Sequence, residues 1–245
     1  MKKRAGIMAI ILAIALLGAI GIYHVYIRIS SSPIELSKER YPISGFDFSA
    51  HNGFIDFQRL AEDSIDFVIL KATEGTTFKD SRFNANYRNA RRAGIPVIGA
   101  YHFFRFDTDG EMQAINFINS LQGKTVDMPL VIDLEEWTNP RDIYTHDVLQ
   151  RLKSMIRYIE SNGYTVMFYT NKDGYQRFIR EYFNDYPLWI CSFTDPPLGL
   201  SENDEWQLWQ YSHRGWISAC NTSVDLNTFN GSRQEWEQWL RSSTF

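Results

Sequence analysis

The chain is poor in the residues that build metal centres and cofactor sites. It contains two cysteines, Cys191 and Cys220, and five histidines, and none of these stands at a spacing typical of metal ligands. No phosphate-binding loop is present either, so the sequence predicts no metal and no cofactor. The two cysteines could pair in an oxidising compartment, but Cys191 also fits a small buried strand residue, and the sequence leaves both interpretations open.

Positive charge is scarce once the first residues are set aside. The formal net charge is −4, and leaving out Lys2, Lys3 and Arg4 makes it −7. An acidic chain of this kind argues against a nucleic-acid partner and is compatible with an uncharged substrate such as a glycan. Its length of 245 residues, of which 44% are hydrophobic, is sufficient for one domain with a sizeable core.

One long uncharged run does occur, and it directly follows those basic residues. Residues 5–23 carry no charge and, at helical rise, have about the length that crosses a bilayer core. The preceding positive charges place the N-terminus in the cytoplasm. No small-x-small cleavage site follows, so we predict an uncleaved membrane anchor over residues 1–27, a linker over 28–40 and one folded domain over 41–245. The alternative is secretion after signal cleavage, and in both cases the folded domain is exported to the periplasmic or extracellular side.

The folded domain alternates between strand patterns and helix patterns. Eight runs rich in β-branched and aromatic residues predict strands at 43–48, 67–72, 97–103, 130–134, 165–169, 188–192, 206–211 and 224–229. Amphipathic runs predict a helix beginning at Phe54 and further helices at 82–93, 111–121, 145–162 and 233–240. Apolar strands that alternate with helices are typical of a parallel sheet, and eight of them favour an α/β fold of the TIM-like (β/α) barrel type. The last three strands have little helix between them, so we expect the barrel to be incomplete or flattened.

A pair of carboxylates stands at the end of the fourth strand. Asp133 and Glu135 are two residues apart, so in an extended strand both side chains point to one face while Leu134 points to the other. Two neighbouring carboxylates repel each other, and burying both without a task is costly. Such a pair typically separates into an acid with a raised pKa and an ionised partner.

Other chemically capable residues recur at the corresponding ends of the other strands. In a parallel barrel the carboxyl ends of the strands form the active face. The residues near those ends are Asp47, Lys71, Tyr101, His102, Tyr169, Trp189, Gln210 and Asp225. Each also has an ordinary structural interpretation: Asp47 and Asp225 could cap turns, His102 could be a satisfied core histidine, and the aromatic rings could be core packing. Their recurrence at one face is a stronger signal than any single residue.

Four blocks and a C-terminal tail carry a resemblance to a known family. The blocks are residues 45–57 (GFDFSAHNGFIDF), 66–80 (DFVILKATEGTTFKD), 99–103 (GAYHF) and 131–135 (VIDLE), and the tail comprises 186–190, 209–211 and 224–229. In this order they resemble the glycoside hydrolase family 25 lysozymes, the N,O-diacetylmuramidases. Phe48 and Phe57 stand where the family usually has an aliphatic residue and Trp, and neither change removes a catalytic group.

The resemblance implies a substrate and a set of roles. Members of the family cleave the β-1,4 bond between N-acetylmuramic acid and N-acetylglucosamine in peptidoglycan. By the same comparison Glu135 is the general acid, Asp133 its ionised neighbour, and Asp47 and Asp225 the other carboxylates of the groove. The residues implied to bind or orient sugars are Lys71, Tyr101, His102, Trp137, Tyr169, Trp189, Trp209 and Gln210.

The sequence leaves open both the route of bond cleavage and the class of function. Retaining and inverting enzymes differ in carboxyl separation, which the sequence does not supply, and assistance by the substrate's 2-acetamido group is the hypothesis that we favour. A chitinase-like acetamido-sugar hydrolase is the alternative enzyme. A non-catalytic glycan-binding module is the alternative of another class, although it predicts missing carboxylates and all four are present. The expected partners are peptidoglycan glycan strands and, through the N-terminal helix, the membrane.

Overall fold

The computed structural model describes residues 34–194, 200 and 204–243. The predicted anchor at 1–27 and the first residues of the predicted linker therefore lie outside the described residues. Within the described ranges, no helix has the length and apolar character needed to cross a membrane. Ile34 and Leu36 pack against the hydrophobic core, so the second part of the predicted linker belongs to the packed domain.

Eight strands close into a barrel. The strands of the described chain are β1 (Ser44–Phe48), β2 (Phe67–Glu74), β3 (Phe78–Lys79), β4 (Val97–Phe103), β5 (Leu130–Asp133), β6 (Val166–Asn171), β7 (Leu188–Cys191), β8 (Leu208–Gly215) and β9 (Val224–Phe229). They pair in the order β1-β9-β8-β7-β6-β5-β4-β2, and pairing of β1 with β2 closes the ring. β3 is a short addition that pairs only with β2. All eight predicted strands are present, but the expectation of an incomplete ring is wrong because both ends of the sheet meet.

The barrel is mixed rather than fully parallel. β9 is antiparallel to both of its neighbours, β1 and β8, whereas the other adjacent strands of the ring are parallel. The reason lies in the connection: only residues 216–223 join β8 to β9, and a parallel return needs a crossover of about a dozen residues or more. The predicted all-parallel arrangement is therefore corrected at the last strand.

Helices surround the first part of the barrel. They are α1 (Phe57–Glu62), α2 (Phe83–Ala93), α3 (Gly110–Ser120), α4 (Thr145–Ser161), the one-turn α5 (Lys172–Gly174), which continues into a π-helical turn (Tyr175–Ile179), and α6 (Arg233–Ser243). Their positions match the predicted helices within a few residues, except that the turns after β6 were not predicted. The longest helix, α4, buries the face that its 3.6-residue period predicts, at Val148, Leu149, Leu152, Met155, Ile156 and Ile159.

Apolar side chains fill the lower part of the barrel interior. This floor consists of Ile43, just before β1, and of inward-facing strand residues, among them Phe67, Val97, Val131, Met167, Leu208 and Phe229. Trp236 of α6 closes it from below, with its ring 5.3 Å from that of Phe67 and 5.2 Å from that of Phe229. The polar residues that line the cavity lie at the opposite end, where the parallel strands terminate.

The contact between α3 and α4 yields a stability prediction. A Cβ atom on Gly110, the first residue of α3, would lie 1.8 Å from the carbonyl oxygen of Arg151 in α4. Because that neighbour is backbone, Gly110→Ala must push the two helices apart, and we expect a loss of about 1–3 kcal/mol in the free energy of unfolding. Urea denaturation measures this loss. Met112→Ala on the exposed side of α3 is the control, with an expected change within about 0.5 kcal/mol; equal stabilities of the two variants would contradict the contact.

Candidate active site

A cavity of about 1310 Å³ opens at the carboxyl ends of the parallel strands. It brings together residues from every strand of the barrel ring. The predicted site residues that line it are Asp47, Lys71, Tyr101, Asp133, Glu135, Trp137, Tyr169, Trp189, Gln210 and Asp225. Of the residues predicted at the carboxyl ends of the strands, His102 does not line the cavity.

The Asp133 and Glu135 side chains share one face, as the strand period predicts. Asp133 is the last residue of β5, and both carboxyls line the cavity while Leu134 is buried in the outer core. The Leu134 N–H donates to the Tyr169 carbonyl at 2.8 Å, which continues the pairing of β5 with β6 past the end of the strand. The extended conformation that directs Glu135 into the cavity is therefore maintained by the sheet.

A buried asparagine fixes the segment that follows Glu135. The Asn139 amide donates to the carbonyls of Glu135 at 2.8 Å and of Phe104 at 3.0 Å, and its oxygen accepts from the Phe106 N–H at 2.9 Å. These bonds tie the β5 loop to the end of β4. The sequence signal at this residue is an Asn–Pro pair in a loop, which is an ordinary turn signal and does not predict this role.

Asp47 has the most hydrogen-bond donors among the four carboxyls predicted at the site. Its Oδ2 accepts from Gln210 Nε2 at 2.9 Å and from Asn227 Nδ2 at 2.8 Å. Each amide is in turn oriented by an aromatic side chain: Tyr169 donates to Gln210 Oε1 at 2.8 Å, and Trp189 donates to Asn227 Oδ1 at 2.9 Å. Burial raises the pKa of Asp47, and the hydrogen bonds from Asn227, Gln210 and Asp225 oppose that rise by stabilising the charged form.

Asp225 lies directly opposite Asp47 in the pairing of β1 with β9. It stands near the beginning of β9 and still reaches the active face, because β9 runs against the other strands. Burial and the charge of Asp47 raise its pKa to about 8. The interaction between the two carboxyls lowers the pKa of Asp47 and raises that of Asp225, so a proton held between them favours Asp225.

Glu135 and Asp133 also favour the protonated state. Burial, followed by the charge of Asp47, raises the pKa of Glu135 to about 7. Burial and then the charge of Glu135 raise the pKa of Asp133 well above its usual range, and Lys71 partly opposes this. Asp133 Oδ1 is buried and has no hydrogen-bond donor among the described residues. The sequence expectation of an ionised Asp133 is therefore opposed by the electrostatics of the free protein, and Asp47 is the carboxyl best stabilised as an anion.

A cluster of ion pairs borders the cavity on the side of β2 and β4. Lys71 Nζ lies 2.8 Å from Glu74 Oε2, and Arg105 Nη1 lies 3.7 Å from the other Glu74 oxygen. Lys71 also lies 5.2 Å from the centre of the Phe103 ring. The notion of an ordinary ion pair between Lys71 and Glu74 is thus supported, and the pair still lines the cavity, where its cation favours charge on Asp133.

His102 is placed behind the site rather than in it. It is 0% exposed, with Nδ1 2.7 Å from Thr73 Oγ1 and Nε2 3.0 Å from Gln113 Oε1. Burial lowers its pKa to about 4. The predicted contact with substrate is corrected, because neighbouring residues of a strand point to opposite faces and Tyr101 is the one that faces the cavity.

The predicted aromatic platforms differ in exposure. Trp137 is 76% exposed and Trp189 is buried, yet both line the cavity. The prediction that Trp209 stacks on sugar is also corrected: Trp209 is fully buried in the outer core, and its indole N–H donates to the Ser192 carbonyl.

Both cysteines are free thiols, and Cys191 lines the cavity, where burial raises its pKa to about 12.

Comparison with known proteins identifies the family. Residues 46–220 match the family described as glycosyl hydrolases family 25. The chain belongs to this family. An uncharacterized protein, YegX of Escherichia coli K12, is 31% identical over 208 residues, which cover 82% of this chain and 74% of that protein. Lysozyme M1 of Streptomyces globisporus is 32% identical over 204 residues, covering 78% of this chain and 68% of that protein.

A solved structure supports the same assignment. A family 25 glycosyl hydrolase from Bacillus anthracis has a TM-score of 0.75 and 34% identity to this chain, and the match covers 85% of this chain and 99% of that one. The closed mixed barrel described above is therefore the family 25 fold. These similarities alone do not assign a catalytic role to any residue of this chain.

The raised pKa of Glu135 predicts how stability changes with pH. The folded state keeps a proton on Glu135 up to about pH 7, whereas the unfolded chain releases it near pH 4.5, so this group lowers the free energy of unfolding as pH rises through that window. Glu135→Gln removes the effect. On going from pH 4.5 to pH 8 we expect the variant to gain on the order of 1–3 kcal/mol relative to wild type in urea denaturation.

Glu111→Gln on the first turn of α3 is the control for the loss of one surface carboxyl. Curves of stability against pH that run parallel for wild type and Glu135→Gln would show that Glu135 titrates normally in the folded protein.

Proposed function

We propose that this protein is a muramidase-type peptidoglycan hydrolase that cleaves the β-1,4 bond between N-acetylmuramic acid and N-acetylglucosamine. The observation that carries the proposal is Glu135, a carboxyl in the barrel-mouth cavity whose pKa is raised to about 7 beside Asp47, whose charge is stabilised by two amide donors. Membership in glycosyl hydrolase family 25 and similarity to a protein named lysozyme support it.

Glu135 is the general acid of this proposal. A glycosidic oxygen leaves slowly unless it receives a proton as the bond breaks, and the donor must still hold that proton at working pH. Burial and the neighbouring charge of Asp47 keep Glu135 protonated close to neutrality. Once the leaving sugar has taken the proton, Glu135 is an anion and can accept a proton from the attacking water.

Asp47 supplies the negative charge of the groove. The sugar ring gains positive charge as the bond breaks, and a fixed anion in a site with little water stabilises that state. Asp47 is 7% exposed and receives its hydrogen bonds from oriented amides, so it does not have to reorganise when the charge develops. Asp225 holds the proton that prevents a second charge beside it.

Asp133 orients the 2-acetamido group. Its Oδ1 lacks a donor in the free protein, and the N–H of an acetamido group is a donor of suitable chemistry. Accepting that bond favours the ionised form of Asp133, as does the nearby charge of Lys71, so the carboxyl proton is released to solvent when substrate binds. The acetamido oxygen then attacks the anomeric carbon while Glu135 protonates the leaving oxygen, and water later opens the resulting ring.

The remaining cavity residues bind and place the glycan. Trp137 presents an exposed ring at the end of β5, and the faces of aromatic rings suit the apolar faces of sugars. Tyr101 and Gln210 line the cavity with polar groups. Export is part of the proposal, either on the predicted anchor or after its cleavage, since peptidoglycan lies outside the cytoplasmic membrane.

The acid role predicts a specific loss of activity. Glu135→Gln keeps the shape of the side chain and removes the proton donor, so we expect hydrolysis of purified peptidoglycan to fall about 10²–10⁴-fold. Mass spectrometry of the released muropeptides measures the rate and identifies the new reducing end as N-acetylmuramic acid.

Glu136→Gln is the matched control, because Glu136 pairs with Arg177 and does not line the cavity; most of the activity should remain. Equal lysis by wild type and Glu135→Gln would favour the glycan-binding module. Hydrolysis of chitin oligomers without action on peptidoglycan would favour the chitinase-like alternative.

Substrate assistance predicts dependence on the acetamido group. Peptidoglycan whose muramic acid residues have lost the N-acetyl group offers no carbonyl oxygen for the attack, so we expect its cleavage by wild type to fall by at least about 10²-fold, the contribution of a well-placed intramolecular nucleophile being large. Asp133→Asn should lower the rate on intact peptidoglycan and have little further effect on the deacetylated polymer. An undiminished rate on the deacetylated polymer would contradict this route.

A further inference from the structure

Asn227 stands next to the reaction centre without facing it. It is 1% exposed and does not line the cavity, so its side chain has no direct access to a bound glycan. Its amide nitrogen donates to Asp47 Oδ2 at 2.8 Å, and its amide oxygen accepts from Trp189 Nε1 at 2.9 Å. Asn227 therefore bridges an aromatic residue of β7 and a carboxylate of β1.

The bridge determines which atom of the amide faces Asp47. An indole N–H can only donate, so its partner on Asn227 must be the oxygen, and the NH₂ group is left to point at Asp47. Turning the amide over would place its oxygen against the Asp47 carboxylate and its NH₂ group against the Trp189 N–H. Both contacts would then be unfavourable, so Trp189 allows one orientation.

The second donor to Asp47 lacks this constraint. Gln210 Nε2 donates to Asp47 Oδ2 at 2.9 Å, and Gln210 Oε1 accepts from the Tyr169 hydroxyl at 2.8 Å. A hydroxyl can either donate or accept, so Tyr169 would tolerate both orientations of the Gln210 amide. The hydrogen bond from Trp189 to Asn227 is therefore the contact that forces an amide donor to face Asp47.

The surroundings of Asp47 oppose its ionisation. The titratable groups that face it from the packed strands are Lys71, Tyr101, Asp133, Glu135, Tyr169, Cys191 and Asp225. Most of these are acids, and Lys71, the cation among them, lies 2.8 Å from Glu74. Charge on Asp47 consequently depends on neutral donors.

We propose that Asn227 is a positioning residue that keeps Asp47 ionised and oriented, and that Trp189 acts by locking the amide of Asn227 rather than by stacking on sugar. The catalytic consequence rests on the proposed function, whereas the effect on Asp47 itself does not. Trp189 is almost fully buried, and its one polar side-chain atom donates to Asn227. Both observations agree with this role.

The test compares Asn227→Leu with a matched control. Leu has a similar volume and no donor, so the pKa of Asp47, followed by ¹³C NMR of its carboxyl and assigned with Asp47→Asn, should rise by about one unit, the effect of removing one hydrogen bond to a charged group. The acidic limb of the kcat/KM profile on peptidoglycan should move to higher pH by the same amount. Asn116→Leu removes another buried amide, one that donates to the Gly75 and Phe78 carbonyls, and should lower stability without moving either quantity.

Trp189→Phe provides a second variant. It keeps an aromatic ring at position 189 and the amide of Asn227, but it removes the indole N–H and so leaves the Asn227 amide free to rotate. We expect a smaller rise in the pKa of Asp47, and this variant decides the question if Asn227→Leu fails to fold. An unchanged or lowered Asp47 pKa in a folded variant overturns the proposal. Absence of hydrolysis in wild type would instead overturn the proposed function, while the NMR titration would still report on Asn227.

Discussion

One electrostatic constraint underlies the site: four carboxyl groups share a buried barrel mouth that tolerates little negative charge. Burial raises the pKa of each carboxyl, and the charge of Asp47 raises the pKa of the other three further. Amide donors stabilise the charge on Asp47, so the protons are retained by its neighbours. The availability of Glu135 as an acid is therefore a property of the whole cluster rather than of an isolated Asp-x-Glu motif.

Local sequence patterns were sufficient for much of the fold. The strand period placed Asp133 and Glu135 on one face, and the eight strands and most helices follow from periodicity and turn residues. The direction of β9 required attention to the short loop before it. The two-residue period of a strand also predicts that only one of Tyr101 and His102 faces inward. Which of the two does so depends on how β4 pairs with its neighbours, and the sequence of one strand does not encode that pairing.

The state of the site depends on contacts between distant segments. The donors to Asp47 come from β8 and β9, more than 160 positions away in sequence, and their effect on ionisation exists only after barrel closure. This is why the raised pKa of Asp133 in the free protein does not follow from the Asp-x-Glu pattern. Asn227 was within reach of pattern reasoning, since it stands two residues after Asp225 on the same strand, but an asparagine in a strand gives no chemical signal by itself.

The apolar floor of the barrel has a consequence for proton traffic. Beneath the carboxyls the interior is filled by residues such as Val131 and Met167 and closed by Trp236, so among the described residues the mouth is the open route for protons to the cluster. Any molecule that covers the mouth narrows that path. The rate at which the buried carboxyls exchange protons with solvent is therefore set by how open the mouth is.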